Sequence, residues 1–176
     1  MDILEAIYTR RSIRTYLDRP VEPEKIETLL KAAMYAPSAA NEQPWRFIVI
    51  TDRSLFGKIM QAHPFAGMLR TAPLAILVCG DLSLEKAPGN WMLDCSNATQ
   101  NMLLAAHASG MGAVWCGVYP EQDRMRALAA MFHLPQEVVP FALVAAGYAE
   151  EKPRTPPDRY SPDRVCLNDW NNRYRP

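Results

Sequence analysis

Four short stretches, residues 47–50, 74–79, 113–118 and 141–146, are apolar at odd and even positions alike. Side chains of a strand point alternately to its two faces, so such runs are strands only if both faces are covered. Helical segments between the runs can provide that cover. One of them, about 90 to 109, carries Trp91, Cys95, Ala98, Met102, Ala105 and Ala106 on one face and Met92, Leu103 and Leu104 on others. A helix apolar nearly all round predicts burial all round. It ends at Gly110-Met111-Gly112, where glycine relieves a left-handed cap.

The flanking segments fit the same plan. Asp2 followed by Glu5 reads as a capping box opening a helix from Ile3 to about Thr9, with Leu4 and Ile7 or Tyr8 inward. A second helix starts near Pro23, sets Ile26, Leu29, Leu30, Ala33 and Met34 on one face, and stops before Pro37. A last helix runs from Glu121 to about Phe132. Beyond Gly147 the chain turns proline-rich and charged, Glu150 to Arg159, which predicts an extended arm. Tyr160, Val165, Leu167, Trp170 and Tyr174 favour an arm that lies across another surface. The 176 residues fit a single α+β layered domain, with about 150–176 as its arm.

Nineteen basic residues balance nineteen acidic ones, which argues against a broad nucleic-acid or anionic-lipid surface. No stretch approaches the roughly 18 apolar residues of a membrane span, and no basic leader opens the sequence, so a cytoplasmic location is expected. Cys79, Cys95, Cys116 and Cys166 form no CxxC pair and read as reduced, mostly buried thiols. His63, His107 and His133 lack metal-ligand spacing, and His107 reads as a satisfied core histidine; no metal site is expected. Gly110-Met111-Gly112 lacks the third glycine of a dinucleotide fingerprint, and no phosphate-binding loop ends in Lys-Ser or Lys-Thr.

Four features can carry chemistry. Arg10, Arg11 and Arg14 surround Ser12 where the first helix gives way to extended chain. Guanidinium groups bind a phosphate dianion bidentately, and Ser12 adds a donor; equally, a solvated arginine turn can answer the negative end of the helix. The loop from Ala36 to Trp45 is bounded by prolines and rich in small residues. Asn41 and Gln43 can pair with the edge of a heterocycle, or face solvent as ordinary turn amides. Strand 113–118 ends at Gly117 beside an aromatic, which marks either close approach of another group or a bulge needed for packing. Arg159 of the arm completes the basic cluster or is a surface charge.

In this order and over nearly the whole chain, these pieces resemble the FMN-dependent nitroreductase family. The resemblance rests on Asp2-Ile3-Leu4-Glu5-Ala6-Ile7 leading to Arg10-Arg11-Ser12-Ile13-Arg14, on Ala36-Pro37-Ser38 with Asn41-Glu42-Gln43-Pro44-Trp45, on Gly112-Ala113-Val114-Trp115-Cys116-Gly117, and on Asp158-Arg159-Tyr160. It implies a three-layer sandwich: a central mixed, mainly antiparallel sheet flanked by helices, with the C-terminal arm swapped across an intertwined homodimer. It implies that Arg10, Arg11, Ser12 and Arg14 hold the FMN phosphate and ribityl chain, joined by Arg159. Pro37, Ser38, Ala39, Asn41 and Gln43 would reach the flavin from the partner subunit, and Trp115, Cys116 and Gly117 would lie against its ring. Family members often carry a lysine two residues before the arm's arginine; here that residue is Pro157, and Lys152 or Arg154 is the available substitute.

The resemblance further implies that the flavin performs the chemistry, so no catalytic acid–base dyad is expected. NADH or NADPH would reduce it, leave, and be replaced by a small electrophilic acceptor such as a nitroaromatic or quinone, in ping-pong order. The chain lacks the inserted helices of larger relatives, which leaves acceptor choice open. Two other readings stand beside this one: an enzyme of the same fold performing dehalogenation, enone reduction or flavin cleavage, and a flavin-binding sensor without turnover.

Overall fold

The computed structural model describes residues 1–150 and 155–174. Four strands, β1 (Trp45–Ile50), β2 (Leu74–Asp81), β3 (Gly112–Gly117) and β4 (Val138–Gly147), hydrogen-bond in the order β1-β2-β4-β3. Every neighbouring pair is antiparallel. The mixed character expected of the sheet is confined, among the described residues, to a parallel bridge between Ser12 and Ala113 on the free edge of β3.

Alternation along the strands divides the interior in two. Leu74, Ile76, Val78, Ala142, Val144 and Ala146 face a core shared with α2 (Pro23–Met34) and α4 (Trp91–Ala108). Ala75, Leu77, Cys79, Leu143, Ala145 and Val114 face the other, shared with α3 (Arg53–Ala62) and α5 (Gln122–Met131). Leu77 and Leu143 are fully buried, each contributing about 1.5–3 kcal/mol. The register slips at Val78/Cys79, where Cys79 faces Pro140. Proline has no N–H to give the ladder, and a bulge is how a strand accommodates it.

Asp2 caps α1 (Ile3–Thr9) as the sequence requires, its Oδ1 accepting from the Glu5 amide at 2.9 Å. The facing differs from expectation: Ala6 is the buried residue, while Ile3, Leu4, Ile7 and Tyr8 are exposed. α1 meets α4 of its own chain along a narrow line, with Ala6 the residue it buries. α2 buries Leu29 and Ala33 but leaves Met34 exposed. α4 is also not covered all round, since Leu93, Asn97 and Gln100 form an open outer stripe. Gly110, with φ of 75°, ends it in the left-handed conformation. α3 was not read from the sequence. Asp52 caps it through the Ser54 amide, and Phe56 and Ile59 bury its inner face.

The arm makes a short turn at Pro162–Arg164 and a bridge between Cys166 and Arg173. In the single chain Trp170 is 83% exposed, so this part of the arm finds no cover among the described residues. No described helix is long and apolar enough to cross a membrane.

Candidate functional site

The free edge of β3 organises the site. Ile13 donates its amide to the Ala113 carbonyl at 3.1 Å, laying the segment after α1 along that edge. Gly112 permits this approach, because a Cβ there would stand 2.6 Å from the Ile13 side chain. Arg10, Arg11 and Ser12 therefore gather near the start of β3, while Arg14 runs on toward its end. Ala113 and Gly117 are four residues apart, roughly 13 Å by strand rise.

At the first end the arm returns over α1: residues 156–160 face Ile7, Tyr8 and Arg11 across a cavity of about 850 Å³. Arg159 comes close enough to Arg10 to repel it. Burial first, then Arg11 and Arg159, hold the Arg10 guanidinium below its usual pKa. None of Arg10, Arg11, Arg14 and Arg159 makes an ion pair among the described residues. Arg11 is partly spent on the end of its own helix, donating to the Tyr8 carbonyl at 2.9 Å and to that of Arg10. The helix-end role therefore holds for Arg11, whereas the Arg10 and Arg159 guanidiniums make no hydrogen bond or ion pair among the described residues. Ser12 is exposed beside them. His107, half-buried at the end of α4, sits with Nε2 2.8 Å from the Thr9 hydroxyl, and burial and then Arg10 lower its pKa. Lys152 and Arg154 lie outside the described residues.

At the second end a cleft of about 510 Å³ opens at Gly117, lined by Trp115 and Cys116, by Arg14, which the resemblance places with the phosphate group, and by His63, Phe65 and Arg124. Gly117 is exposed, and a Cβ there would meet nothing nearer than the Tyr119 carbonyl at 4.0 Å. The glycine keeps space open and is not required by packing. Arg124 donates to the Gly117 carbonyl at 3.2 Å and stacks over the Phe65 ring. His63 is buried, accepts the Phe65 amide on Nδ1, and is held below its usual pKa by burial and then Arg124. Burial pushes the Cys116 thiol up to about 11, Arg14 opposing, so Cys116 is a wall and not a nucleophile. His63, Phe65 and Arg124 have no motif; only the fold brings the end of α3 and the first turn of α5 to one strand end.

The loop before β1 is the third element. Ala39–Asn41 form a single 3₁₀ turn, and Ala40, Asn41 and Gln43 have φ of 48°, 50° and 49°. Ser38 Oγ accepts the Gln43 amide, and the Gln43 side chain donates to Asn41 Oδ1 at 3.2 Å. Pro37, Asn41 and Gln43 are exposed; Ser38 and Ala39 are half-buried. The loop is not brought to Gly117. It precedes β1 at one sheet edge while Gly117 ends β3 at the other, three strand spacings or about 14 Å across.

Fold and site thus define an α+β sandwich with a basic pocket and an open glycine cleft at the two ends of one sheet edge. The chain belongs to the nitroreductase family, whose model matches residues 7–62 and 57–148. It is 52% identical over 170 residues, 97% of this chain and 88% of the other, to a protein of Methanothermobacter thermautotrophicus provisionally named NADH dehydrogenase/NAD(P)H nitroreductase. A crystal structure of a protein so named from Parabacteroides distasonis superposes with a TM-score of 0.90 at 43% identity, covering 95% of this chain and 98% of that one. A provisionally named nitroreductase of Desulfovibrio desulfuricans, solved in complex with FMN, gives 0.81 at 30% identity, covering 97% and 98%.

Proposed function

We propose that this chain is an FMN-dependent oxidoreductase that passes reducing equivalents from NADH or NADPH to a small electrophilic acceptor, a nitroaromatic or quinone, in ping-pong order. The observation that carries the reading is the pair of guanidiniums, Arg10 and Arg159, which make no ion pair among the described residues, at one end of the β3 edge, with an open cleft at Gly117 at the other. Arg10, Arg159 and Ser12 hold the phosphate, with Arg11 completing the positive field. Arg14 follows the edge toward the ring, and Trp115, Cys116 and Gly117 form the surface it rests on. Bound there, the flavin supplies hydride and electron transfer. The protein's part is to bind, to orient and to keep the reducing end beside fixed positive charge. The FMN named in the Desulfovibrio complex and the NAD(P)H in the Methanothermobacter protein's name support the same assignment.

The functional unit is a homodimer. Pro37, Ser38, Ala39, Asn41 and Gln43 lie too far from Gly117 to close the cleft of their own chain, and a partner's copy supplies them. Exposed Ile3, Leu4, Ile7 and Tyr8 on α1, Leu93 on α4 and Trp170 on the arm form the apolar surface such a partner covers. The purified protein should be yellow and should bleach when NADH or NADPH is added anaerobically. A colourless preparation that takes up no FMN would overturn the reading.

A further inference from the structure

Beneath the loop that carries Asn41 and Gln43 lie two buried carboxyl groups for which the redox reading has no use. Glu42 is 5% exposed and Asp94, on the first turn of α4, is 3% exposed. Each has one oxygen well satisfied. Glu42 Oε2 accepts the amides of Lys86 and Ala87 at 2.7 and 2.9 Å, and Asp94 Oδ1 accepts the Ala39 amide at 3.0 Å. Each also has one orphan: Glu42 Oε1 and Asp94 Oδ2 are buried without a partner among the described residues. The two side chains are near enough for each to shift the other's titration.

Two ionised carboxylates offer only acceptors, so as a dianion the pair leaves both orphans unsatisfied and places two like charges in one dry site. One proton removes both defects. We propose that Glu42 and Asp94 share a single proton between Glu42 Oε1 and Asp94 Oδ2, and that this acid pair is the latch holding residues 38–43 in their flavin-contacting shape. The second half of the proposal rests on the loop being a flavin contact. The latch ties the loop to two elements at once, α4 through Ala39 and the 86–87 segment through Glu42. Such tethering is what three left-handed non-glycine residues require if they are to persist.

Of the two, Asp94 is the one whose surroundings favour the proton. Burial first, then Glu42 and Glu85, raises its pKa, while the Ala87 and Lys86 amides hold Glu42 below the usual carboxylate range. The charged and titratable groups around the pair are Glu85 and Lys86 on the preceding segment and Cys95 on α4, whose thiol donates to the Cys79 carbonyl and stays protonated. Glu85 is itself occupied by the amides of Gly89 and Trp91. A group whose folded pKa is raised contributes below its unfolded value and loses that contribution as pH rises through the folded one. The latch therefore holds below the ordinary aspartate range and is lost as pH rises through the raised folded pKa of Asp94.

Infrared spectra of the purified protein in D2O test the proton directly, and FMN titrations followed by flavin fluorescence test its consequence. Wild type should keep a protonated carboxyl stretch to higher pH than a free carboxyl group does, and that band should be missing from Asp94→Asn and Glu42→Gln. Wild-type FMN affinity should fall about tenfold per pH unit once that band is lost. Asp94→Asn, whose amide donates permanently to Glu42, should stay flat over the same range, and Asp94→Ala should bind weakly at every pH. No carboxyl band assignable to the pair, or equal weakening with rising pH in wild type and Asp94→Asn, overturns the latch. A band present in a protein that binds no FMN at any pH upholds the shared proton and overturns the flavin role, together with the function proposed above.

Discussion

Arg10 and Gly117 carry opposite kinds of information about a ligand. Arg10 is a charge held in partial burial beside like charges, a position that a bound dianion relieves. Replacing it with alanine should weaken FMN binding about 10- to 100-fold, the worth of one charge-assisted contact, in an equilibrium fluorescence titration; unchanged affinity would remove Arg10 from the cradle. Gly117 is an empty position. Its Cβ would enter open cleft without touching the fold, so Gly117→Val should leave the thermal midpoint nearly unchanged and reduce flavin affinity and turnover. A large loss of stability would show that the glycine serves packing. Arg10 and Gly117 were candidates in the sequence because charge density and a strand-end glycine are local signals, and Arg159 was set apart from a surface charge only through the family resemblance. His63, Phe65 and Arg124 were not, because they come from α3 and α5 and meet only after both helices dock on the sheet.

Among the elements, β3 and the segment packed on its free edge decide where the pocket and the cleft stand. Gly112→Ala should cost about 1–3 kcal/mol, because the added carbon meets Ile13, and should lower the midpoint in thermal unfolding by several degrees. A normal midpoint would mean that the edge pairing is not needed for the fold. The apolar runs forecast all four strands because continuous apolarity over a few residues is a strand signal that tertiary context only reinforces. α3 escaped because Gly57 interrupts it and its apolar residues Leu55, Phe56, Ile59 and Met60 make only two turns of pattern. The inward direction assigned to Leu4 and Ile7 failed for a different reason. Periodicity reports that a face is apolar, not which body covers it.

At the level of the molecule that distinction becomes the case for a second copy. α1, the outer stripe of α4 and the arm expose apolar groups that one chain leaves in water, and the loop carrying Asn41 and Gln43 stands across the sheet from Gly117. Sedimentation should give a dimer. Leu4→Glu combined with Ile7→Glu should yield folded monomers that have lost most of their flavin, since the partner's loop leaves with the partner. Monomeric wild type, or a charged variant that remains a flavin-loaded dimer, would place the subunit contact elsewhere.

The central claim is that guanidiniums past the end of α1 grip a phosphate while the ring lies at the far end of β3. Titrating flavin-stripped protein with FMN and with riboflavin, which differ only in that phosphate, tests it most directly. The account predicts that FMN binds at least about 100-fold more tightly, some 2.7 kcal/mol, with the difference largely lost in a variant lacking Arg10 and Arg159. Equal affinity for the two flavins would contradict it.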